Sequence, residues 1–445
     1  MSMHFRGQRV SPMLHGKSIA SAHAAVAGEP IDPERVTVTS SSNGWFDPDT
    51  PVSSPLIDSI NSYWEIVTSS PVVSTVTLRD WEQELSWEPG EVIPAGAALY
   101  VPEEVTQGEM QVILAEPHDT AHYPQAVVGL AGPSEWTNTT EAQWQRVVDE
   151  AVDMGMKWIR VTAPWKLIEP DRGVRDWSAL DSRISACTTA GLLPLVLILG
   201  QPDWALGIHT NQTSAMSGWS DFCAALADRY RGQVTAYEVW NEPNLERFWD
   251  GANATTYVEL LKAASTAIRG ADSSALIVSG GLAPATTVAG EAVEPLAFLQ
   301  SVLDGASSYL DHVGWHPYCW PDRPLSGAPW SAWTKMHAAR QKMTNAGVTG
   351  QLWLTEFGMP TDGGEGSVTE QEQADQLVEG IRHAALESHI GPLFVYCLDD
   401  GAAGGGVEGH FGLIREDGTP KPARAVVSSE TRRSAMRWAT VWKPA

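Results

Sequence analysis

The chain has 445 residues, of which 43% are hydrophobic and 19% are charged. Such a composition supports a large packed core and differs from that of disordered chains. Asp and Glu number 54 against 29 Lys and Arg, which gives a net charge of -25. Because so negative a protein repels phosphate backbones, we expect no nucleic-acid partner.

Membrane, redox and export features are also absent from the sequence pattern. No apolar run reaches the length of about 18 residues that a transmembrane helix requires, so we expect no membrane partner. The four cysteines lie far apart without CxxC or Cys/His spacing, which argues against a disulfide framework and a zinc site. The N-terminus has cationic residues but lacks the continuous apolar core of a signal peptide. Any export would therefore need another route.

The first segment, residues 1–30, contains two short similar units. The stretch "RGQRVSPML" at 6–14 aligns with "HGKSIASAH" at 15–23, and Gly7 matches Gly16 in that alignment. Because chain ends usually fray in a free protein, we expect residues 1–25 to become ordered only against another protein chain.

Residues 31–122 have a different texture. Short β-branched runs are broken there by Pro, Gly and Ser, and helical patterns are few. This pattern predicts a small β-rich domain with a boundary near residues 118–124.

From about residue 125 onward, apolar runs alternate with stretches of helical period. One helical stretch is "EAQWQRVVDEAVDMG" at 141–155, which is apolar at i, i+3, i+4 and i+7. The apolar runs occupy residues 125–132, 157–164, 193–200, 234–241, 275–281, 310–317, 352–358 and 391–400. Eight strand-helix repeats predict an α/β fold, a (β/α)8 TIM barrel over residues 123–430, followed by a C-terminal tail at 431–445.

The fourth run ends in "AYEVWNEPN", which carries two glutamates. If the strand stays extended, Glu238, Trp240 and Glu242 share one face of it. Glu242 comes last, directly before Pro243, which cannot continue the ladder. Since TIM-barrel enzymes carry their chemistry at the C-terminal ends of the strands, Glu242 is the functional candidate and Glu238 the deeper, structural one.

The seventh run, "LWLTEFGMP", places Glu356 in the same position at its own end. Glu242 and Glu356 are therefore expected on one rim of the barrel. Glycoside hydrolysis needs two carboxyl groups that face each other, one to protonate the leaving oxygen and one to act in ionised form.

The motifs "WNEPN" at 240–244 and "TEFG" at 355–358 resemble those of the clan A glycoside hydrolases. These are retaining (β/α)8 enzymes that include cellulases, β-galactosidases and β-xylosidases, and the resemblance covers about residues 125–425. It implies that Glu242 is the general acid/base and Glu356 the nucleophile. It also implies a polysaccharide or oligosaccharide substrate, with no metal and no organic cofactor.

Other positions match the family one by one. The resemblance implies that Arg160 lies near Glu356 and favours its ionised form, and that Asn241 contacts the sugar 2-hydroxyl. It also implies that His316 and Tyr318, from "WHPY", orient the two carboxylates.

The end of the eighth run departs from the family pattern. Many relatives have a tryptophan there as a sugar platform, whereas this chain reads "FVYCLDDG". We expect Tyr396 or Trp320 to provide the platform instead. Trp204, after the third run, is a further candidate for stacking on sugar.

The first 25 residues, followed by the β-rich domain, resemble the attachment segments of minor tail proteins in phages of actinobacteria. That resemblance implies a location on the virion tail, with other tail proteins bound through residues 1–25. Two alternatives stay open. One is a free bacterial glycosidase, cytoplasmic or exported by a non-classical route, and the other is a glycan-binding minor tail protein whose catalysis has lapsed.

Overall fold

The computed structural model describes most of the chain after residue 127. The described ranges are 128–132, 139–328, 330–361, 364, 366–387, 389–401 and 406–441, with six short strands before residue 115. Those six strands, and the last helix from residue 432 onward, are described by their backbone alone. The proposed attachment segment at 1–30 lies outside the described residues.

The chain divides into two compact units. One comprises residues 1–120, 386–388 and 436–445, and the other comprises 121–385 and 389–435. In the first unit, all described residues before 115 form antiparallel strands in the sheet order β1-β2-β5-β6 and in a β3-β4 pair. These strands are β1 (Val36–Thr39), β2 (Tyr63–Thr68), β3 (Val76–Arg79), β4 (Glu84–Trp87), β5 (Ala98–Tyr100) and β6 (Ile113–Leu114).

The second unit contains an eight-stranded parallel sheet. Its strands are β7 (Val128–Ala131), β8 (Trp158–Pro164), β9 (Leu193–Leu199), β10 (Ala236–Val239), β11 (Leu276–Ser279), β12 (Val313–Trp315), β13 (Leu352–Phe357) and β14 (Ile390–Val395). The sheet order is β11-β10-β9-β8-β7-β14-β13-β12, and single bridges from Val278 to His312 and from Leu282 to Trp315 join its two ends. The predicted (β/α)8 TIM barrel is thereby confirmed.

Helices separate most of the strands and form the outer layer. They are α1 (Glu141–Asp153), α2 (Trp165–Ile168), α3 (Ser178–Thr189), α4 (Thr213–Arg229), α5 (Ala254–Ala271), α6 (Pro295–Ala306), α7 (Met336–Asn345), α8 (Glu370–Leu386) and α9 (Pro422–Val441). Helix α9 continues past residue 430, where the sequence predicted the end of the barrel domain. None of the helices in the described part of the chain is both long and apolar enough to cross a bilayer.

The strand side chains divide between two cores. On β8, Ile159 and Val161 face the helices, whereas Trp158 faces the barrel axis. The inner core is small, and Trp158 packs there edge-on against Trp353 at 5.0 Å and Phe394 at 6.5 Å. These rings fill the lower barrel, so polar side chains nearer the C-terminal ends of the strands line its mouth.

We expect Trp158→Ala to lower the free energy of unfolding by about 3–5 kcal/mol, because it opens a cavity that the rigid strands cannot close. Urea unfolding followed by far-ultraviolet circular dichroism measures the change. Trp330→Ala is the matched control, since Trp330 is 46% exposed and its loss should change stability by less than about 0.5 kcal/mol. Equal effects of the two substitutions would contradict the role of Trp158 in the inner core.

Candidate active site

The end of β10 turns sharply, and this turn brings Glu242 to the barrel mouth. The strand ends at Val239, and Trp240 and Glu242 then have positive φ angles of 71° and 42°. The Trp240 ring packs in the outer core against Trp219 at 6.0 Å and Trp249 at 5.3 Å. The expectation that Glu238, Trp240 and Glu242 share a face was therefore wrong for Trp240, because the extended strand that it assumed stops one residue earlier. Positive φ is uncommon outside glycine and concentrates at functional sites.

A register shift in β13 brings Glu356 to the same mouth. The pairing of β13 with β14 is irregular between Leu354 and Phe357, and both of these residues belong to the outer core. Two residues, Thr355 and Glu356, thus lie between them, and both hydrogen-bond to groups at the barrel mouth. A β-bulge re-aims a side chain in this way, and strict alternation would have directed Glu356 toward the helices.

Arg160 of β8 connects the two glutamate-bearing strands. Its Nε donates to Glu238 Oε2 at 2.6 Å, its Nη1 to Glu356 Oε1 at 2.5 Å and its Nη2 to Asn241 Oδ1 at 2.9 Å. Only 6% of Arg160 is exposed. Burial lowers its pKa, but the charges of Glu238 and Glu356 outweigh that effect and raise it, so the guanidinium stays charged. The predicted proximity of Arg160 and Glu356 is therefore observed.

His316, which directly follows β12, lies fully buried between Glu242 and Thr355. Its Nδ1 is 2.9 Å from Glu242 Oε1, and its Nε2 is 3.1 Å from Thr355 Oγ1. The Thr355 hydroxyl donates its one proton to Glu238 Oε1 at 2.9 Å, so at Thr355 the histidine Nε2–H must be the donor. A single proton is then shared between His316 Nδ1 and Glu242 Oε1.

The pKa values of this pair move in opposite directions. Burial by itself would raise the pKa of Glu242, but the hydrogen bond and charge of His316 and the charge of Arg247 lower it. Burial would lower the pKa of His316, but the charge of Glu356 and the bond to Glu242 raise it. The ion pair of carboxylate and imidazolium is therefore favoured.

Gly281, beyond the end of β11, permits this arrangement. Its N–H donates to Glu238 Oε1 at 3.0 Å, and its carbonyl accepts from the Glu242 N–H at 3.1 Å. A Cβ at this position would approach His316 Nε2 to 2.2 Å. Glycine is thus required here, because any side chain would prevent the backbone from passing between Glu238, Glu242 and His316.

Two charged residues that the sequence did not single out complete the site. Arg247 Nη2 donates to Glu242 Oε2 at 2.9 Å, and Glu408 lies on the 3-10 helix Val407–His410 in the same cavity. Burial raises the pKa of Glu408, Arg247 opposes that rise, and Glu242 and Glu356 add to it. Arg247 is five residues from Glu242 in sequence, but neither residue belongs to a motif that would have predicted its role.

Aromatic rings line the cavity around these charges. The cavity has a volume of about 600 Å³, and its lining includes Tyr318, Trp320, Trp330 and Tyr396. Tyr318 also donates its hydroxyl proton to Glu356 Oε2 at 2.9 Å. Cavities of this size and apolar character suit small-molecule and sugar ligands. Trp330, half exposed and bonded to Asp322, is a lining residue that the sequence analysis missed.

Trp204 does not reach this cavity. It packs edge-on against Trp165 at 5.1 Å and donates its Nε1–H to the Glu169 carbonyl at 3.0 Å. The other predicted site residues come together at the barrel mouth: Asn241, Glu242, Arg160, His316, Tyr318, Glu356, Trp320 and Tyr396. The structure therefore corrects the placement of Trp204 at the sugar-binding rim, because its ring is used to pack a loop onto the barrel.

Within the described residues, the His and carboxylate group that could hold a metal ion is Glu242, His316 and Glu356, with one ligand atom of each within 4.8 Å of the others. Hydrogen bonds already engage these groups, and the Arg160 and Arg247 guanidinium groups lie beside them. Two neighbouring cations make the position unfavourable for a third.

The raised pKa of His316 predicts a pH-dependent contribution to stability. Such a group stabilises the fold fully below its unfolded pKa of about 6.5, and the contribution is lost as pH rises through the folded pKa. The free energy of unfolding of the wild type should thus exceed that of His316→Gln by more at about pH 6 than at about pH 9. His410→Gln, at a partly exposed position, is the control, and a difference independent of pH would contradict the ion pair.

Comparisons with known proteins identify the family and the fold. The sequence profile of the cellulase family, glycosyl hydrolase family 5, matches residues 119–391, which is more than half of the chain. No curated protein matches the chain in sequence. Among solved structures, a family 39 glycoside hydrolase from the gut symbiont Bacteroides cellulosilyticus WH2 superposes with a TM-score of 0.55 and 19% identity. The match covers 83% of this chain and 70% of that one.

Two further structures are similar in fold. A monomeric β-xylosidase from Caulobacter crescentus CB15 has a TM-score of 0.50 and 20% identity, over 69% of this chain and 67% of that one. A glucosidase from Croceicoccus marinus has a TM-score of 0.52 and 15% identity, over 70% and 68% of the two chains. At such low sequence identities the structural similarity shows only a shared barrel fold. The assignment to a family rests on the sequence profile that matches residues 119–391. The protein therefore belongs to the cellulase family, glycosyl hydrolase family 5, and is a clan A glycoside hydrolase.

Proposed function

We propose that the protein is a retaining glycosidase that cleaves a polysaccharide or oligosaccharide by double displacement. The observation that carries the proposal is the approach of Glu242 and Glu356, which have carboxylate oxygens within 4.8 Å of each other. Retaining enzymes hold their two carboxyl groups about 5–5.5 Å apart, whereas inverting enzymes need about 6.5–9.5 Å to admit a water. The closer spacing of a retaining pair is consistent with this approach of one oxygen from each carboxylate.

In the first step, Glu356 attacks the anomeric carbon while the glycosidic C–O bond breaks. The hydrogen bonds from Arg160 and Tyr318 fix the orientation of the attacking carboxylate. Glu242 gives its proton to the leaving oxygen, so the departing sugar leaves as a neutral alcohol. In the second step, Glu242 takes a proton from water, the water oxygen attacks the anomeric carbon, and Glu356 is released.

The substrate we propose is a surface or cell-wall glycan. The aromatic lining offers ring faces to the apolar faces of sugar rings, and Tyr396 and Trp320 are the platform residues. The neighbouring structures described as a β-xylosidase and a glucosidase support a glycan substrate. Neither metal nor organic cofactor has a part in this mechanism.

Replacement of Glu356 and replacement of Glu242 should differ in how the loss of activity depends on the leaving group of the substrate. Glu356→Gln should abolish turnover of all glycosides. Glu242→Gln should slow an alkyl glycoside by about 10²–10⁴-fold. It should slow a dinitrophenyl glycoside far less in the first step, because that leaving group needs no proton. Initial rates and burst amplitudes measure both effects.

Glu246→Gln is the matched control, because Glu246 is exposed in the same loop as Glu242. Proton NMR of the first-formed product tests the stereochemistry, and a product of inverted configuration would refute the retaining mechanism. If the wild type hydrolyses no polysaccharide or chromogenic glycoside yet still binds glycan, the lapsed glycan-binding alternative applies.

For location, we propose that the enzyme is carried on the tail of a phage that infects actinobacteria. The support is the pair of similar units at residues 6–14 and 15–23, which resembles attachment segments of minor tail proteins. A tail-borne glycosidase would open the host surface glycan during infection.

Deletion of residues 1–25 should leave hydrolysis by the purified protein unchanged, since the barrel carries the catalytic groups, and should remove the protein from assembled particles. Immunoblots of purified virions, with activity assays on the same variant, measure this. Loss of hydrolysis in the shortened protein would instead favour a free bacterial glycosidase, cytoplasmic or exported by a non-classical route.

A further inference from the structure

The loop after β10 holds its backbone rigidly while one of its side chains stays accessible. Asn244 Nδ2 donates to the carbonyls of Ala283 and Val293 at 2.9 and 3.0 Å, and its Oδ1 accepts from the Ala283 N–H at 3.0 Å. Trp240 Nε1 donates to the Phe248 carbonyl at 2.7 Å. These bonds fix the chain on both sides of Arg247, whose side chain is nevertheless 59% exposed. The guanidinium can therefore move while its backbone stays in place.

The two oxygens of Glu242 have different surroundings. Oε1 faces the fully buried His316, and Oε2 faces Arg247 in the cavity. Only Oε2 is thus directed at the space where a glycosidic oxygen can bind. A proton donor must come within about 2.6–3.2 Å of the atom that it protonates. Glu242 must therefore act as an acid through Oε2.

Arg247 occupies that oxygen in the substrate-free protein. Its Nη2 lies 2.9 Å from Oε2, and the cation favours the ionised carboxylate, which cannot donate a proton. Glu408 provides an alternative partner, because it lines the same cavity and its charge contributes to the raised pKa of Arg247. Glu408 is exposed, and the negative charges of Glu242 and Glu356 act on it, so a cation beside it would be stabilising.

We propose that Arg247 is a positioning residue that holds Glu242 Oε2 in the free enzyme and transfers its hydrogen bond to Glu408 when the glycosidic oxygen of a substrate arrives. The inference rests on the proposed function, since it assigns Glu242 as the acid. Movement of Arg247 removes one of the two cations that favour ionised Glu242, the other being His316, and clears Oε2 to take up a proton and meet the leaving oxygen. Protonation of the acid is thereby linked to occupation of the site.

Other charged groups also act on this centre. Glu242 and Arg247 are faced by ionisable side chains from β8, β10 and β13, from the segments that follow β12 and β14, and from the 3-10 helix Val407–His410: Arg160, Glu238, His316, Tyr318, Glu356, Tyr396 and Glu408. All of them remain in an Arg247 variant, so a comparison of that variant with the wild type isolates the contribution of the one guanidinium.

The test compares pH profiles of the wild type and Arg247→Met with an alkyl glycoside, for which protonation of the leaving group limits the rate. The profile of kcat/KM reports the free enzyme and that of kcat the complex. Since Arg247 lowers the pKa of Glu242, its removal should move the basic limb of kcat/KM to higher pH. The basic limb of kcat should not move, because Arg247 has already left Glu242 in the complex.

Two further variants sharpen the comparison. Arg247→Lys should restore the wild-type limb of kcat/KM in part, because it keeps the charge. Glu408→Gln removes the alternative partner and should lower kcat by about two- to fivefold, as expected for a partly exposed ion pair. Arg231→Met is the matched control, since Arg231 is 57% exposed in a surface pair with Asp228, and it should leave both limbs unchanged.

Equal shifts of the two limbs in Arg247→Met would mean that Arg247 stays on Glu242 throughout, and no shift in either would mean that it has no such role. Either outcome overturns the proposal while the hydrolase function stands. If the wild type hydrolyses nothing, the proposed function fails, and ¹³C NMR titration of Glu242 in the free protein decides separately. The Glu242 signal, identified by its loss in Glu242→Gln, should titrate at higher pH in Arg247→Met. An unchanged titration would overturn the inference.

Discussion

The buried guanidinium of Arg160 is the group on which the rest of the site depends. One planar cation on β8 bonds to Glu238 of β10, to Asn241 just beyond β10 and to Glu356 of β13, so it sets the relative positions of three strand ends. The Glu238 carboxylate needs this cation as much as the cation needs it, because a buried charge left without its partner costs several kcal/mol. Glu238 thus balances the charge that holds Glu356.

The cavity lies directly above this layer of charges, and the inner tryptophan and phenylalanine rings lie directly below it. The charged layer therefore rests on a dry, close-packed floor. Thr355 and His316 extend the layer sideways to Glu242, so Glu242 and Glu356 belong to one continuous hydrogen-bonded network. In a low-dielectric setting such a network strengthens each of its own bonds and penalises any unpaired member. This one hydrogen-bonded network therefore orients the carboxylates of both Glu242 and Glu356.

The barrel itself was predictable because parallel strands that are buried on both faces have unbroken apolar sequences. The run "LPLVLILG", for example, predicts β9. The glutamates were predictable because each closes such a run. The path by which they reach the cavity was not. Positive φ at Trp240 and the bulge around Thr355 and Glu356 depend on contacts with other strands, and no local pattern encodes them. Arg247 and Glu408 come from loops, and the sequence does not tell whether a tryptophan such as Trp204 packs a loop or faces a ligand.

Because of the bulge in β13, the number of residues in this strand decides which side chains reach the barrel mouth. Leu354 and Phe357 anchor the outer core on both sides of it, and a strand shorter by one residue could keep both anchors by regular alternation. Such a barrel would retain its hydrophobic pattern, but it could present only one of Thr355 and Glu356 to the mouth. A deletion here would therefore leave the outer core in place and still disrupt the charged layer, because either Arg160 would lose Glu356 or His316 and Glu238 would lose Thr355.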